Sequence, residues 1–146
     1  MKPSRRSVLA AGVVGVASAC THRPRSAPTV VSPDMHLRTL AADREEALLQ
    51  LYNRVLHDFP LLAAELQPLR AQHDEHRRLL GFTDAVTRLS PAALAGRTPA
   101  EAKARLAALE KGVSADHGAN AVTATRALAP LLASLSASEA CHAAVL

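Results

Sequence analysis

The chain has 146 residues, with 17 Lys and Arg against 13 Asp and Glu, two Cys, no Trp, one Tyr and two Phe. That length allows one domain with a tail around a single hydrophobic core, and two cysteines are too few for a disulfide scaffold or a cysteine-based zinc module. Alanine supplies 31 positions and aromatics only 2%, so the core has to be built from Leu, Val and Ala, which favours closely approaching helices over a sheet. A net charge of +4 would suit nucleic acid or an anionic surface if it belonged to the folded part.

The first twenty residues carry much of that charge. Ser4-Arg5-Arg6-Ser7-Val8-Leu9 sets paired arginines, Arg5 and Arg6, before a mildly apolar stretch and resembles a twin-arginine export signal. The apolar run from Val8 to Ala19 is shorter than the roughly 20 residues a bilayer span needs. It ends Val16-Ala17-Ser18-Ala19-Cys20, which resembles a bacterial lipobox with Ala17 where Leu is commoner. The resemblance implies a lipoprotein: cleavage before Cys20, diacylation (palmitate) at its thiol, and a lipid anchor on the outer, extracytoplasmic face of the cell membrane. An ordinary cleaved signal with an incidental cysteine is the alternative. Residues 21–36, with Pro24, Pro28 and Pro33, read as a flexible tether, and 37–146 as the folded domain. With the signal and tether set aside, residues 34–146 hold 12 basic and 13 acidic side chains, a net of −1. Nucleic acid is thereby excluded as the expected partner.

From Leu37 onward the apolar residues recur with a helical period. A first helix is expected over about 37–58 and a second over about 60–80, with Asp58 as cap and Pro60 in the first turn between them. Pro68 falls inside the second helix and should kink it. The longest break runs from Gly81 to Thr98. A third helix then opens with Thr98 as cap, Pro99 at its first position and Glu101 in its first turn, and runs to about 126. A fourth starts near Pro130 and carries to the end.

Each helix presents one seam. Spacing of 4-3-4-3-4 gives Leu62, Leu66, Leu69, His73, His76 and Leu80 in the second helix, and Leu128, Leu132, Leu135, Glu139, His142 and Leu146 in the fourth, an offset of 66 residues. The first helix gives Ala41, Glu45, Leu48, Tyr52, Val55 and Phe59. At an offset of 65 the third gives Leu106, Glu110, Val113, His117, Asn120 and Ala124, with Leu109 and Asp116 defining a competing seam. The domain thus reads as two similar αα-hairpins, each with one glutamate on its first helix and an i, i+3 polar pair on its second.

A glutamate on a leucine seam is costly to bury unpaired, so it must find a partner, stay wet or bind a metal. Residues at i and i+3 share a helix face, so Glu139 with His142, and His73 with His76, can reach one point. The candidate metal-binding set is Glu45, His73, His76, Glu110, Glu139 and His142; no catalytic residue is assigned.

At these residues the chain resembles the ferritin-like superfamily, and more closely the alanine-rich ferritin-like lipoproteins of actinobacteria. The resemblance implies an all-α, ferritin-like four-helix bundle with a two-metal centre, held by a Glu from each of two helices and Glu-x-x-His from each of the other two. Glu139-Ala140-Cys141-His142 matches one such motif, and Glu45 and Glu110 match the lone glutamates. His73-Asp74-Glu75-His76 departs from it, because His73 stands where a bridging carboxylate would be expected.

The cofactor stays open: iron or manganese suits a mixed Glu/His set, and zinc a His-richer one. A redox-active form would activate oxygen or peroxide, with Glu139 or Glu45 bridging. The bland alternative pairs His73 and His76 with Glu45, and Glu139 with Arg105 or His117, without metal. The domain would then be a non-catalytic binding or assembly module at the cell surface, forming a homo- or hetero-oligomer through the bundle. Cys141 is expected to be a buried free thiol, and His57 to favour the helix dipole.

Overall fold

The structure is a computed structural model that describes residues 32–86 and 96–146. The signal, the lipobox and most of the tether, with Arg5, Arg6 and Cys20, lie outside the described residues. Among those described, the chain is an all-helical bundle of four α-helices with no strand: α1 Pro33–Asp58, a short 3-10 turn Pro60–Leu62, α2 Ala63–Leu79, α3 Pro99–Thr123 and α4 Ala129–Val145. None of these helices is long and apolar enough to cross a membrane.

Helix α1 begins four residues before the position that its apolar period predicts. Ser32 Oγ accepts the Asp34 N–H at 3.3 Å. The Asp34 carboxylate in turn accepts the Thr125 N–H at 3.0 Å and the Thr125 hydroxyl. The extra turn is held by polar capping, which a hydrophobic pattern does not register. At the other end Asp58 is not the cap of the next helix. It closes α1 and turns its carboxylate back to Arg54 at 2.6 Å and His57 at 2.9 Å, while Phe59 precedes Pro60 with no side-chain cap.

Helix α2 stays helical through Pro68 and ends on Gly81 at φ 94°, a conformation that favours glycine. Gly81 N–H donates to Arg78 O and Phe82 N–H to Arg77 O, the paired bonds of a Schellman cap. Helix α3 opens as its sequence predicts, with Thr98 Oγ1 accepting the Glu101 N–H and the Glu101 carboxylate accepting the Arg97 N–H. It ends at Thr123, three residues short of the expected 126.

Contacts between ends fix the helix directions. Lys103 near the start of α3 pairs with Glu65 near the start of α2, so these two helices run the same way. Asp34 at the start of α1 meets Thr125 just beyond α3, so α1 and α3 run oppositely. The connection from α2 to α3 therefore has to return the length of the bundle. Its first part does so against the helices, with Arg77 donating to Asp84 O and Asn53 Nδ2 to Val86 O.

The apolar core is divided in two. One cluster gathers Leu48, Leu51, Tyr52, Val55, Leu66 and Leu106 among others. The other gathers Ala41, Ala42, Leu80, Leu128, Leu132 and Leu135. On each helix the polar seam residues fall beside or between members of these clusters, so the polar layer sits inside the bundle.

Small residues bring α3 and α4 together. Ser114 Oγ donates to Ser136 O at 2.7 Å, and Ser136 Oγ donates to Ser114 O at 2.8 Å. One turn along α3, a Cβ on Gly118 would lie 3.2 Å from Ser136 Oγ. Gly112 faces open space. Gly112→Ala is therefore expected to stabilise the domain by about 0.5–1 kcal/mol. Gly118→Val forces the serine pair apart and should cost about 1–3 kcal/mol. Urea midpoints moving in opposite directions for the two variants check this.

Candidate metal centre

Each helix carries its polar seam residues to the same interior layer. Glu45 on α1, His73 on α2, Glu110 and His117 on α3 and Glu139 on α4 are fully buried, and His76 and His142 nearly so. In α3 the register through Leu106, Glu110, Val113 and His117 is the buried one. Leu109 is half-buried, and Asp116 pairs at the surface with Arg44 at 2.8 Å. All six predicted residues meet in this layer.

His73 lies at the centre. Its Nδ1 is 2.9 Å from Glu45 Oε2 and its Nε2 2.9 Å from Glu110 Oε1. His76 Nδ1 is 3.3 Å from Glu45 Oε2 and 3.0 Å from Glu139 Oε1. His142 Nδ1 is 3.2 Å from Glu139 Oε2, and its Nε2 reaches Gln72 Oε1 at 3.0 Å. Two further residues on the predicted seams complete the layer, although the candidate set omits them. His117 Nε2 donates to Glu45 Oε1 at 2.8 Å, and the Tyr52 hydroxyl donates to Glu110 Oε1 at 2.7 Å. Polarity on a buried seam was the available signal for both. Gln72 is exposed at its helix surface and gave no such signal.

The electrostatics follow from burial in opposition to pairing. Burial alone would push the imidazoles of His73, His76 and His142 down. The close carboxylates of Glu45, Glu110 and Glu139 outweigh it and raise each to about 9. Burial would raise the Glu45 and Glu110 carboxyls, and the imidazoles beside them instead hold both well below the usual carboxylate range. Burial and the Glu110 charge push the Tyr52 phenol up, so it stays a donor.

Yet pairing is incomplete. Glu110 Oε2, both oxygens of Glu139 and His142 Nδ1 are buried and make no hydrogen bond. The Glu139 oxygens lie 3.0 and 3.2 Å from ring nitrogens, but their approach fails hydrogen-bond geometry. Native proteins rarely leave such atoms unpaired. Two groups of four, Glu45-His73-His76-Glu139 and His73-Glu110-Glu139-His142, place their ligand atoms within 4.8 Å of one another. A tetrahedral ion with bonds of about 2.0–2.1 Å spaces its ligands about 3.4 Å apart. Separations of 2.9–3.7 Å between the imidazole nitrogens and the oxygens of Glu45 and Glu139 bracket that spacing. The donor set therefore fits a transition metal.

The other pairings expected for a metal-free core do not form. Arg105 is exposed, and His117 takes Glu45 in place of Glu139. Cys141 is a free thiol but exposed, contrary to the expected burial: with Glu139 and His142 turned inward, position 141 falls on the outer face of α4. His57 sits in the last turn of α1 beside Asp58. In comparisons with known proteins, no family model, curated protein or solved structure matches the chain.

The raised imidazoles give the metal-free chain a pH signature. Their folded-state values of about 9 exceed the ordinary 6.5. The stability they contribute is therefore fully present below 6.5 and lost as pH rises through 9. Glu45 and Glu110 are lowered from 4.5, so their contribution is present above 4.5 and lost as pH falls below it. Thermal melts in the presence of chelator should show greatest stability between pH 4.5 and 6.5 and a fall from 6.5 to 9.

Proposed function

We propose that the domain is a ferritin-like metal-binding bundle, two αα-hairpins closed about a Glu/His centre and tethered to the outer face of the cell membrane through lipid on Cys20. The observation that carries the metal reading is the set of four buried ligand atoms on Glu110, Glu139 and His142 that make no hydrogen bond. The hairpin reading is supported by the 65- and 66-residue offsets between the halves and by the packing of α1 on α2 and α3 on α4. The anchor reading rests on the paired arginines, the short apolar run and the small residues before Cys20.

Glu45, His73, His76, Glu110, Glu139 and His142 would hold the metal. Three carboxylates with three imidazoles suit iron or manganese better than zinc. A bound ion of this kind supplies Lewis acidity and, for iron or manganese, one-electron redox chemistry. The protein's own part is to hold the ligands: His117 fixes one oxygen of Glu45 and leaves the other inward, and Tyr52 does the same for Glu110.

Metal analysis of the chain, purified without a histidine tag, tests this. At least about one ion per chain is expected, together with a higher melting temperature than after chelation. Glu139→Ala and His76→Ala should each weaken binding. Less than about 0.1 ion per chain, unchanged by either variant, would overturn the reading and leave a non-catalytic binding or assembly module.

A further inference from the structure

The buried layer reaches solvent on one side. Of its seven Glu and His side chains, five expose no surface; only His76, at 10%, and His142, at 5%, do so. These two stand on facing helices, α2 and α4. Their rings lie at 10° to each other with centroids 6.3 Å apart, and the fully buried His73 meets each of them edge to face.

The other seams of the bundle are held shut. The returning connection is bonded to both α1 and α2, through Asn53 to Val86 O and Arg77 to Asp84 O. The Arg44–Asp116 ion pair, at 2.8 Å, spans α1 and α3. The reciprocal Ser114–Ser136 bonds draw α3 against α4. By contrast, α2 and α4 pack on their hairpin partners and hardly on each other. Among the described residues a single hydrogen bond joins them: His142 Nε2 donates to Gln72 Oε1 at 3.0 Å. Gln72 is exposed, and an exposed side chain that loses its bond changes rotamer within nanoseconds. The only other partner of His142 Nε2 is Ser138 Oγ on its own helix, at 3.5 Å. Helix α4 carries no Lys or Arg, so no fixed positive charge on that side repels an approaching cation.

We propose that metal ions enter and leave the layer between α2 and α4, and that the Gln72–His142 hydrogen bond is the latch of this entrance. While the bond stands, the His142 ring is held across the gap between the two helices. When Gln72 turns to solvent, the ring loses its only tie to α2 and is free to swing aside with the other helices still closed. Gln72 thus sets the rate of passage and is not itself a ligand. A side chain that merely oriented His142 as a ligand would act on how long an ion stays, because its effect is felt only once the ion is bound. A latch acts on passage in both directions. This inference rests on the metal-binding reading above.

The test is stopped-flow absorption on the full chain, stripped by chelator. Uptake of Co²⁺ gives the association rate, and transfer of bound Co²⁺ to excess chelator gives the dissociation rate. Gln72→Ala should raise both rates about three- to tenfold, the factor set by one exposed hydrogen bond, so that the affinity changes less than either rate. Gln67→Ala, which trims an equally exposed glutamine elsewhere on α2, should leave both within about twofold of the unsubstituted chain. Circular dichroism establishes that each variant is folded, and Gln72→Ser replaces Gln72→Ala if it is not. An association rate unchanged in the folded Gln72 variant, with or without faster dissociation, would overturn the latch while the metal-binding reading stands. Equal acceleration by Gln67→Ala would do the same. No Co²⁺ bound by the unsubstituted chain would overturn both.

Discussion

The structure depends on one constraint: three carboxyl groups and four imidazoles are sealed inside a bundle otherwise made of leucine, valine and alanine. An unpaired buried charge is far costlier than any single apolar contact is stabilising. The polar layer therefore has to be neutral in sum and fixed in geometry before the helices can close on it. In the metal-free chain the raised imidazoles of His73, His76 and His142 supply the counter-charge. Glu45 is the most fully satisfied of the acids, engaged by His73, His76 and His117 from two other helices.

The rest of the architecture serves that layer. The two leucine-rich clusters exclude water on either side of it, which strengthens every interaction within. The reciprocal Ser114–Ser136 pair and the bare Cα of Gly118 let α3 and α4 approach closely, which brings Glu110 and His142 within reach of each other. The capping of α1 by Ser32 and its bond to Thr125 fix the far end of the helix that carries Glu45. Helices α2 and α3 run the same way, and the polar stretches of all four helices meet in one buried layer.

Much of this was legible in the sequence because the seam repeats. A 4-3-4-3-4 spacing identifies a buried face from the apolar residues alone, and any Glu or His that falls on it is buried by position. That is why all six candidate residues fall in one buried layer, and why the competing register of α3 was settled only by packing. What escaped was of two kinds. Tyr52 and His117 lay on the seams, but their bonds join residues 58 and 72 positions apart, which no local pattern encodes. The true start of α1, the role of Asp58 and the exposure of Cys141 depend on polar capping and on which single face turns inward, and the apolar period is blind to both.

The internal repeat carries one more consequence. Position 73 corresponds to position 139 at the 66-residue offset that also relates His76 to His142, so at 73 one half has an imidazole where the other has a carboxylate. A second carboxylate there would set four acids against only two raised imidazoles, those of His76 and His142. The imidazole at 73 instead contacts the glutamates of both halves, Glu45 through one nitrogen and Glu110 through the other. It therefore does in the metal-free chain what a bridging ion would do, joining the two halves across their shared centre. The same histidine that distinguishes the two halves thus also lets the bundle close without a metal.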